Sequence, residues 1–147
     1  MTNKAAMKFQ AAALPYRKAA DGKTEILLIT SRETRRWILP KGWIENNVKP
    51  HETAALEAFE EAGVRGRTKK KPVDSYNYLK RLHNGDHVLC KVSVFTLKVV
   101  EELDDWPEKK ERERRWMSVG QAAMLISEGG LVRLLLSLSL PGARFPK

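Results

Sequence analysis

The segment from Pro50 to Ala62 constrains the fold of this chain more than any other stretch. Proline suits the first turn of a helix, Glu52 suits its positive end, and Gly63 suits the position just after its last residue. Plotted at about 100° per residue, the segment places carboxylates on one side and small or aromatic side chains on the other. The carboxylates belong to Glu57, Glu60 and Glu61, and the opposite face carries Ala55, Ala58, Phe59 and Ala62. The pattern predicts an amphipathic helix.

The three glutamates carry an electrostatic cost in such a helix. Glu57 faces Glu60 and Glu61 at the spacing where like charges destabilise a helix by about 0.2–0.5 kcal/mol per pair, and the segment contains no Lys or Arg. All three also lie near the negative end of the helix dipole. A solvated helix face is one interpretation, and a bound cation that removes both penalties is the other. Clustered carboxylates suit Mg²⁺ or Mn²⁺, whereas Zn²⁺ would favour Cys or His ligands.

Predicted strands surround this helix along the chain. Apolar, aromatic and β-branched runs predict strands over 8–16, 25–31, 37–42, 74–81, 86–100 and 113–117. Turn signals at Asp21-Gly22 and at 83–86 predict two hairpins. Two further helices are predicted over 119–127 and 130–140, the second from leucines at helical spacing. The order predicts an α/β (α+β) fold, with helices packed on a mixed sheet.

Length and composition favour one domain over residues 1–147, with an ordered core over about 8–140 and a tail over 141–147. The chain has 147 residues, of which 42% are hydrophobic. This length and content suffice for one hydrophobic core, and the chain is too short for two domains. Cys90 is the single cysteine, and the N-terminal residues contain no apolar run of the kind found in signal peptides or membrane spans. We therefore expect a cytoplasmic protein with no membrane partner.

The net charge of +9 predicts attraction to polyanions such as nucleotides, inositol phosphates, RNA or acidic membranes. Basic residues cluster at 65–71 and 109–115. Each cluster fits either a solvated loop or a surface that binds a polyanion. Charge alone does not choose among these partners.

The stretch from Gly42 to Val64 resembles the Nudix box, whose second half reads Arg-Glu-apolar-x-Glu-Glu-x-Gly-apolar. The residues that fall on motif positions are Gly42, Glu57, Ala58, Glu60, Glu61, Gly63 and Val64. Outside the box, the chain is similar to the Nudix subfamily that hydrolyses diphosphoinositol polyphosphates and diadenosine polyphosphates. That similarity rests on Ile29-Thr-Ser-Arg32, Trp37-Ile-Leu-Pro40, Leu103-Asp-Asp-Trp106 and Arg114-Arg-Trp-Met117. It implies a mixed sheet sandwiched between helices, with a catalytic loop-helix-loop over residues 42–64.

Two positions depart from the box. The motif glutamate falls on Val48 and the motif arginine on Leu56. We expect an apolar contact between them to replace the family's ion pair, a change that can be neutral or stabilising. The alternative is that the site has decayed into a catalytically silent module that binds phosphate ligands or RNA.

The resemblance implies Mg²⁺-dependent hydrolysis of a pyrophosphate linkage by water attack on phosphorus, with Mn²⁺ as an alternative metal. The implied metal ligands are Glu57, Glu61 and Glu60, with a backbone carbonyl near Lys41 or Gly42. Glu60 is the expected general base, and Glu57, Glu60 and Glu61 together form the catalytic set. The expected contacts with a small polyphosphorylated substrate are Ser31, Arg32, Arg36, Lys41, Trp43, Arg81 and Arg112.

Each basic residue in that set fits a solvated surface equally well. Trp43 fits packing or stacking on an adenine. A further functional interpretation is an RNA 5′-end pyrophosphohydrolase, favoured by the basic run at 65–71. The sequence does not predict an oligomeric state.

Overall fold

The fold is organised around a mixed sheet, in a computed structural model that describes residues 7–140 and 145–146. Within these residues the sheet has eight strands: β1 Lys8–Lys18, β2 Thr24–Thr30, β3 Trp37–Ile38, β4 Lys41–Trp43, β5 Val64–Thr68, β6 Asp74–Arg81, β7 His87–Glu102 and β8 Arg114–Ser118. The helices are α1 Pro50–Ala62, α2 Val119–Leu125 and α3 Gly129–Ser139. The α1 bounds match those predicted from the sequence.

The central strands β1 and β7 run parallel, and the other pairings are antiparallel. The main path through the sheet is β3-β2-β1-β7-β5, with β4 on β1, β6 on β7 and β8 on β2. The antiparallel pairings of β1 with β2 and of β6 with β7 confirm the two predicted hairpins. Their turns contain Gly22 and Gly85 with φ of 81° and 88°, values that glycine adopts without steric cost.

Side chains of β1 alternate between two hydrophobic cores, because successive residues of a strand point to opposite faces. Ala11 and Ala13 join the core that contains α1, whereas Ala12 and Leu14 join the core that contains α2 and α3. The mixed sheet therefore lies between helices, which confirms the predicted α/β (α+β) fold.

The predicted strand over 37–42 is two short strands instead. The segment changes partner, since β3 pairs with β2 and β4 pairs with β1. Pro40, which has no backbone N–H to donate, lies between the two strands. The carbonyl of Pro40 accepts from the backbone N of Ala13 at 3.0 Å, so the chain stays attached to β1 as it crosses. This crossing brings Lys41 and Gly42 alongside the middle of β1.

Strand β5 was missed by the sequence patterns because its residues do not alternate. Its central residues Arg65, Gly66 and Arg67 are all exposed, so no buried face marks it as a strand. It pairs with the last part of β7, and the register shifts between Arg65 and Gly66. A Cβ on Gly66 would lie 1.9 Å from the backbone oxygen of Lys98, so glycine permits this close pairing.

The predicted tail over 141–147 lies mostly outside the described residues, which include only 145 and 146 of it. Phe145 packs on Tyr16, with ring centroids 4.9 Å apart. Residues 1–6 also lie outside the description, and the one-domain assignment over 1–147 stays a prediction. No helix among the described residues is long and apolar enough to cross a membrane.

Candidate active site

The C-terminal half of α1 carries the glutamates, and one of them is buried. The buried stripe of the helix follows Ala54, Ala58 and Ala62, all fully buried. It is centred slightly to one side of the predicted apolar face, so Ala55 and Phe59 are only half-buried. Glu61 falls inside this stripe and is 7% exposed. The helical projection predicted all three carboxylates on the face opposite the apolar side chains, whereas Glu61 lies within the buried stripe.

Gly42 lies directly against the Glu57 carboxylate. A Cβ on Gly42 would lie 2.4 Å from Oε1 of Glu57, closer than any real contact, so the absence of a side chain makes room for the carboxylate. Strand β4 holds Gly42 opposite Ala11 of β1. Two of the residues predicted to form the metal site are thus adjacent.

Glu61 contacts Lys41, the residue before Gly42. Its Oε1 accepts from the backbone N of Lys41 at 3.4 Å and lies 3.7 Å from Nη2 of Arg112. Nε of Arg112 also donates to Oε1 of Glu108 at 2.9 Å, and its Nη1 donates to the carbonyl of Thr30 at 3.0 Å. Arg112 therefore links two carboxylates and the end of β2 in a nearly buried position.

The segment from Leu103 to Arg114 closes the C-terminal end of α1. The last carbonyls of a helix have no partner within the helix, and this segment supplies donors for four of the carbonyls around that end. Trp106 Nε1 donates to the Glu61 carbonyl at 3.2 Å, and the Glu108 backbone N donates to the Glu60 carbonyl at 3.0 Å. Arg114 Nη1 donates to the carbonyls of Ala62 and Gly63, at 3.0 and 3.2 Å.

These contacts also correct the electrostatic argument from the sequence. The negative charges and the dipole of α1 are met by Arg112 and Arg114, which lie outside the helix in the sequence. A cation near a helix C-terminus is stabilising. A bound metal is therefore not needed to offset the whole penalty.

The carboxyls of Glu57 and Glu61 hold protons more tightly than free glutamates do. Burial, together with the neighbouring carboxyl of Glu57, raises the pKa of Glu61 to about 9, and these effects outweigh the nearby Arg112. Burial also raises the pKa of Glu57, and Glu60 and Glu108 add to this by charge repulsion. A nearby cation would stabilise the ionised form of both carboxyls.

The carboxylate oxygens of the site are suitable ligands for a hard divalent cation. Mg²⁺ is commonly held by one or two carboxylates and keeps several waters, and Glu57 with Glu61 supplies two carboxylates beside Gly42. Among the described residues, no three Asp, Glu, His or Cys side chains converge closely enough to enclose an ion. Glu60 is near enough to raise the Glu57 pKa but does not complete such a triad.

Comparison with known proteins bears on this arrangement. Residues 9–134 match the family model described as NUDIX domain. The chain belongs to the NUDIX family.

Curated relatives of this NUDIX chain come from plants and animals. It is 41% identical to the mitochondrial Nudix hydrolase 12 of Arabidopsis thaliana over 106 residues, covering 70% of this chain and 52% of that protein. It is 33% identical to the diphosphoinositol polyphosphate phosphohydrolase 3-beta of Bos taurus, covering 81% of this chain and 69% of that protein. The chain thus spans about half the length of the first of these relatives.

Solved structures share the NUDIX fold at low identity. A NUDIX hydrolase from Nitrosomonas europaea superposes with a TM-score of 0.70 at 18% identity, covering 96% of this chain and 93% of that one. A C. elegans Ap4A hydrolase in a binary complex gives a TM-score of 0.67 at 21% identity, covering 90% and 95%. At this identity the likeness concerns the fold.

The two departures from the NUDIX box are both on the surface. Val48 is 38% exposed and Leu56 is 52% exposed. The hydrophobic clusters of the described residues include neither side chain. The structure therefore gives no support to the expected packed apolar pair in place of the ion pair.

The predicted substrate residues near the end of β2 lie in a tight turn. The hydroxyl of Ser31 accepts from the backbone N of Arg36 at 3.0 Å and lies 2.7 Å from the Thr34 hydroxyl. Arg32 is exposed and lies 3.7 Å from Glu111, which it meets as a surface ion pair. Arg36 is exposed. Ser31 therefore shapes the turn, and the two arginines are available at its surface.

The remaining predicted substrate residues are scattered. The Lys41 side chain is nearly buried, and burial lowers its pKa. Trp43 is 42% exposed, with Nζ of Lys80 at 5.8 Å from its ring.

Arg81 lies opposite His87 at the tip of the β6–β7 hairpin. Gly42 lies opposite Ala11, which aligns with Ser93 of β7. Because His87, the partner of Arg81, precedes Ser93 by six residues along β7, Arg81 lies roughly 20 Å from Gly42 along the sheet at about 3.3 Å per residue. The fold does not bring Arg81 to the glutamates.

The sequence patterns missed two carboxylates. Glu108 contacts Arg112 at the site, and the similarity of the neighbouring Leu103–Trp106 run to the family is the signal that could have led to it. Glu128, at the N-terminal end of α3, lies 4.0 Å from Nζ of Lys41. No local pattern in the sequence identifies Glu128, because only the packing of α3 brings it there.

Proposed function

We propose that this NUDIX chain hydrolyses pyrophosphate linkages in small polyphosphorylated molecules, using Mg²⁺ or Mn²⁺. The observation that carries the proposal is the pair of Glu57 and Glu61 carboxylates beside Gly42 and the backbone N of Lys41. Diadenosine polyphosphates and diphosphoinositol polyphosphates are the substrate classes to test first, because relatives of both kinds share this fold or sequence.

Each residue of the site has a proposed role in the hydrolysis. Glu57 and Glu61 would hold the metal, which when bound supplies charge neutralisation for the phosphates and lowers the pKa of bound water. Glu60 is the proposed general base. Glu108 is a second candidate, since it is 20% exposed in its side chain and lies at the same cluster through Arg112. The surface arginines Arg32 and Arg36 would attract the polyphosphate.

A metal-dependent hydrolysis assay tests this proposal. Phosphate release from diadenosine tetraphosphate and from a diphosphoinositol polyphosphate is measured with Mg²⁺, with Mn²⁺ and with EDTA. Glu61→Gln should lower the rate at least a hundredfold, while Glu52→Gln, an exposed glutamate in the first turn of α1, should leave it unchanged. Full activity of Glu61→Gln, or equal activity in EDTA, would contradict the proposal.

A second function is motivated by Val48 and Leu56. Their exposed positions leave the NUDIX box without its ion pair and without a packed substitute. Under this second reading the chain binds phosphate ligands or RNA without turnover. Binding of the same substrates or of 5′-triphosphorylated RNA without product formation would select it, and pyrophosphate release from that RNA would select an RNA 5′-end hydrolase.

A further inference from the structure

One of the two basic clusters in the sequence, over 109–115, is neutralised by the fold. Arg112 contacts the carboxylates of Glu108 and Glu61. Arg114 donates to three backbone carbonyls around the end of α1. These arginines are therefore part of the structure that surrounds the glutamate helix.

The other cluster, over 65–71, keeps most of its charges unpaired. Its first member, Arg65, pairs with Glu101 at 3.3 Å and lies 4.5 Å from the centre of the Phe59 ring. The other cations of this region are exposed and form no ion pair within the part of the chain that the structure describes. They are Arg67, Lys69, Lys70, Lys71 and, from β7, Lys98, which together are named the β5 basic surface.

Two members of this surface lie directly opposite each other. Arg67 of β5 is the antiparallel partner of Lys98 of β7. Cβ atoms of such partners are about 4.5–5.5 Å apart, and like charges at this spacing repel each other. The glutamates at the end of β7, Glu101 and Glu102, are held by other arginines. A bound anion would relieve the repulsion.

The β5 basic surface forms a narrow stripe along one edge of the sheet. Among the described strands, β5 pairs with β7 alone, so its other edge has no partner there. Thr68 pairs with Leu97 and Asp74 with Val94, so the three lysines lie in the loop that runs beside β7 from β5 to β6. A strand edge without a partner presents unpaired backbone N–H and C=O groups. The stripe thus combines positive charge with backbone donors and acceptors.

This surface is separate from the glutamate site. Strands β1 and β7 lie between β5 and the strand β4 that carries Gly42, a separation of about 14 Å at about 4.8 Å per strand. Leu97 joins the core that contains α1, so its neighbour Lys98, with Arg67 opposite, projects from the other face of the sheet. A small polyphosphate bound at the glutamates therefore does not neutralise the stripe.

The chemistry of the stripe selects its partner. Closely spaced cations suit the phosphates of a linear polyanion. RNA also carries a 2′-hydroxyl, which donates and accepts hydrogen bonds and is suited to the unpaired groups of a strand edge, whereas DNA lacks it. Binding to an acidic membrane would favour apolar side chains beside the cations, and residues 65–71 include none.

We propose that the β5 basic surface binds the sugar-phosphate backbone of single-stranded RNA. This binding is independent of the proposed hydrolysis, because it uses neither the glutamates nor a metal. Contacts with phosphates and 2′-hydroxyls do not read bases, so the surface should bind RNA without sequence preference.

Fluorescence anisotropy with a labelled oligo-uridine of about 12 nucleotides tests this proposal. The Glu61→Gln variant in EDTA is used, so that neither turnover nor metal contributes. We expect a Kd of about 1–100 µM at near-physiological salt. Combining Lys69→Gln, Lys70→Gln and Lys71→Gln should weaken binding about tenfold or more, and should reduce the slope of log Kd against log salt by about 2. No binding by the parent variant would overturn the proposal.

A second triple variant controls for net charge. Lys23→Gln, Lys109→Gln and Lys110→Gln remove the same charge at exposed lysines outside the β5 basic surface, and should weaken binding less than about threefold. Equal weakening by the two triple variants would show that binding follows the net charge of the chain, and the proposal would be rejected.

The single variant Lys98→Gln gives an independent readout if the loop variant fails to fold. It removes the repulsion with Arg67, so it should raise Tm while it weakens RNA binding about threefold. Unchanged RNA affinity in a folded Lys98→Gln variant would contradict the proposed surface.

Competing ligands decide the identity of the partner. Oligo-uridine should bind more tightly than oligo-deoxyuridine of the same length and more tightly than phosphatidylserine vesicles. Equal affinity for the DNA would overturn the assignment to RNA, and tighter binding to the vesicles would indicate a membrane surface instead. Aggregation of the loop variant, with no RNA bound by its parent, would show that the cations only protect a strand edge from pairing.

Discussion

Nη2 of Arg112 lies 3.7 Å from Oε1 of Glu61, and each of these side chains is less than a tenth exposed. The pair joins the segment before β8 to the last turn of α1. The sequence suggested Arg112 as a residue that grips substrate, but in the fold it also bonds Glu108 and the Thr30 carbonyl. Its position indicates that it holds the glutamates in place.

Replacing Arg112 by Met should destabilise the protein markedly. With a pKa of about 9, Glu61 is largely protonated at neutral pH, so the charged partner of Arg112 is Glu108 at 2.9 Å. Removing one partner of a buried ion pair typically costs about 3–5 kcal/mol, and the Thr30 carbonyl also loses its donor. Arg32→Met is the matched control, since its pair with Glu111 is well exposed and should contribute less than about 1 kcal/mol. Chemical denaturation at neutral pH measures both. Similar losses for the two variants would show that Arg112 has no special structural role.

Stability of the metal-free protein should fall as pH rises. The pKa of Glu61 is about 9 in the folded chain and 4.5 as its ordinary value. Between these values the folded state binds more protons than the unfolded state, so stability declines with pH by up to about 1.4 kcal/mol per unit for this group. Thermal melts in EDTA from pH 5.5 to 8.5 should show native Tm falling relative to Glu61→Gln. A difference in Tm that stays constant with pH would contradict the shift.

Gly42→Ala should separate stability from activity. The new Cβ would meet the end of the flexible Glu57 side chain, which can move aside at a cost of less than about 1 kcal/mol. The displaced carboxylate should lower metal-dependent hydrolysis about a hundredfold, because small misplacements in an active site have large kinetic effects. Gly120→Ala is the control, since a Cβ there meets nothing within 4 Å. Unchanged hydrolysis by Gly42→Ala would argue against Glu57 as a ligand.

Restoring the family residues, with Val48→Glu and Leu56→Arg together, probes the departures from the NUDIX box. Both positions are exposed, so the double variant should fold with near-native stability. If the native site is competent, its hydrolysis rate should change less than about tenfold. A rise of several hundredfold would instead mean that the native chain is catalytically weak, and would favour the binding-module interpretation.

Local chemistry determined much of the fold from the sequence alone. Pro50 and Gly63 set the bounds of α1, and the glycines at 22 and 85 fixed the hairpin turns, because these preferences depend on backbone sterics within a few residues. The spacing of Gly42, Glu57 and Glu61 likewise identified residues that the structure brings together.

Tertiary structure alone decided what surrounds those residues. Strand β5 forms because β7 offers it a partner, although its exposed arginines carry no strand pattern. Arg112 and Glu128 reach the site from distant segments, and their roles follow from which faces of the sheet the helices and loops cover. Such contacts depend on long-range packing, and residues so far apart leave no periodic mark in the sequence. The carboxylates of α1 were therefore predictable, whereas the structural role of Arg112, which the sequence suggested only as a substrate contact, was not.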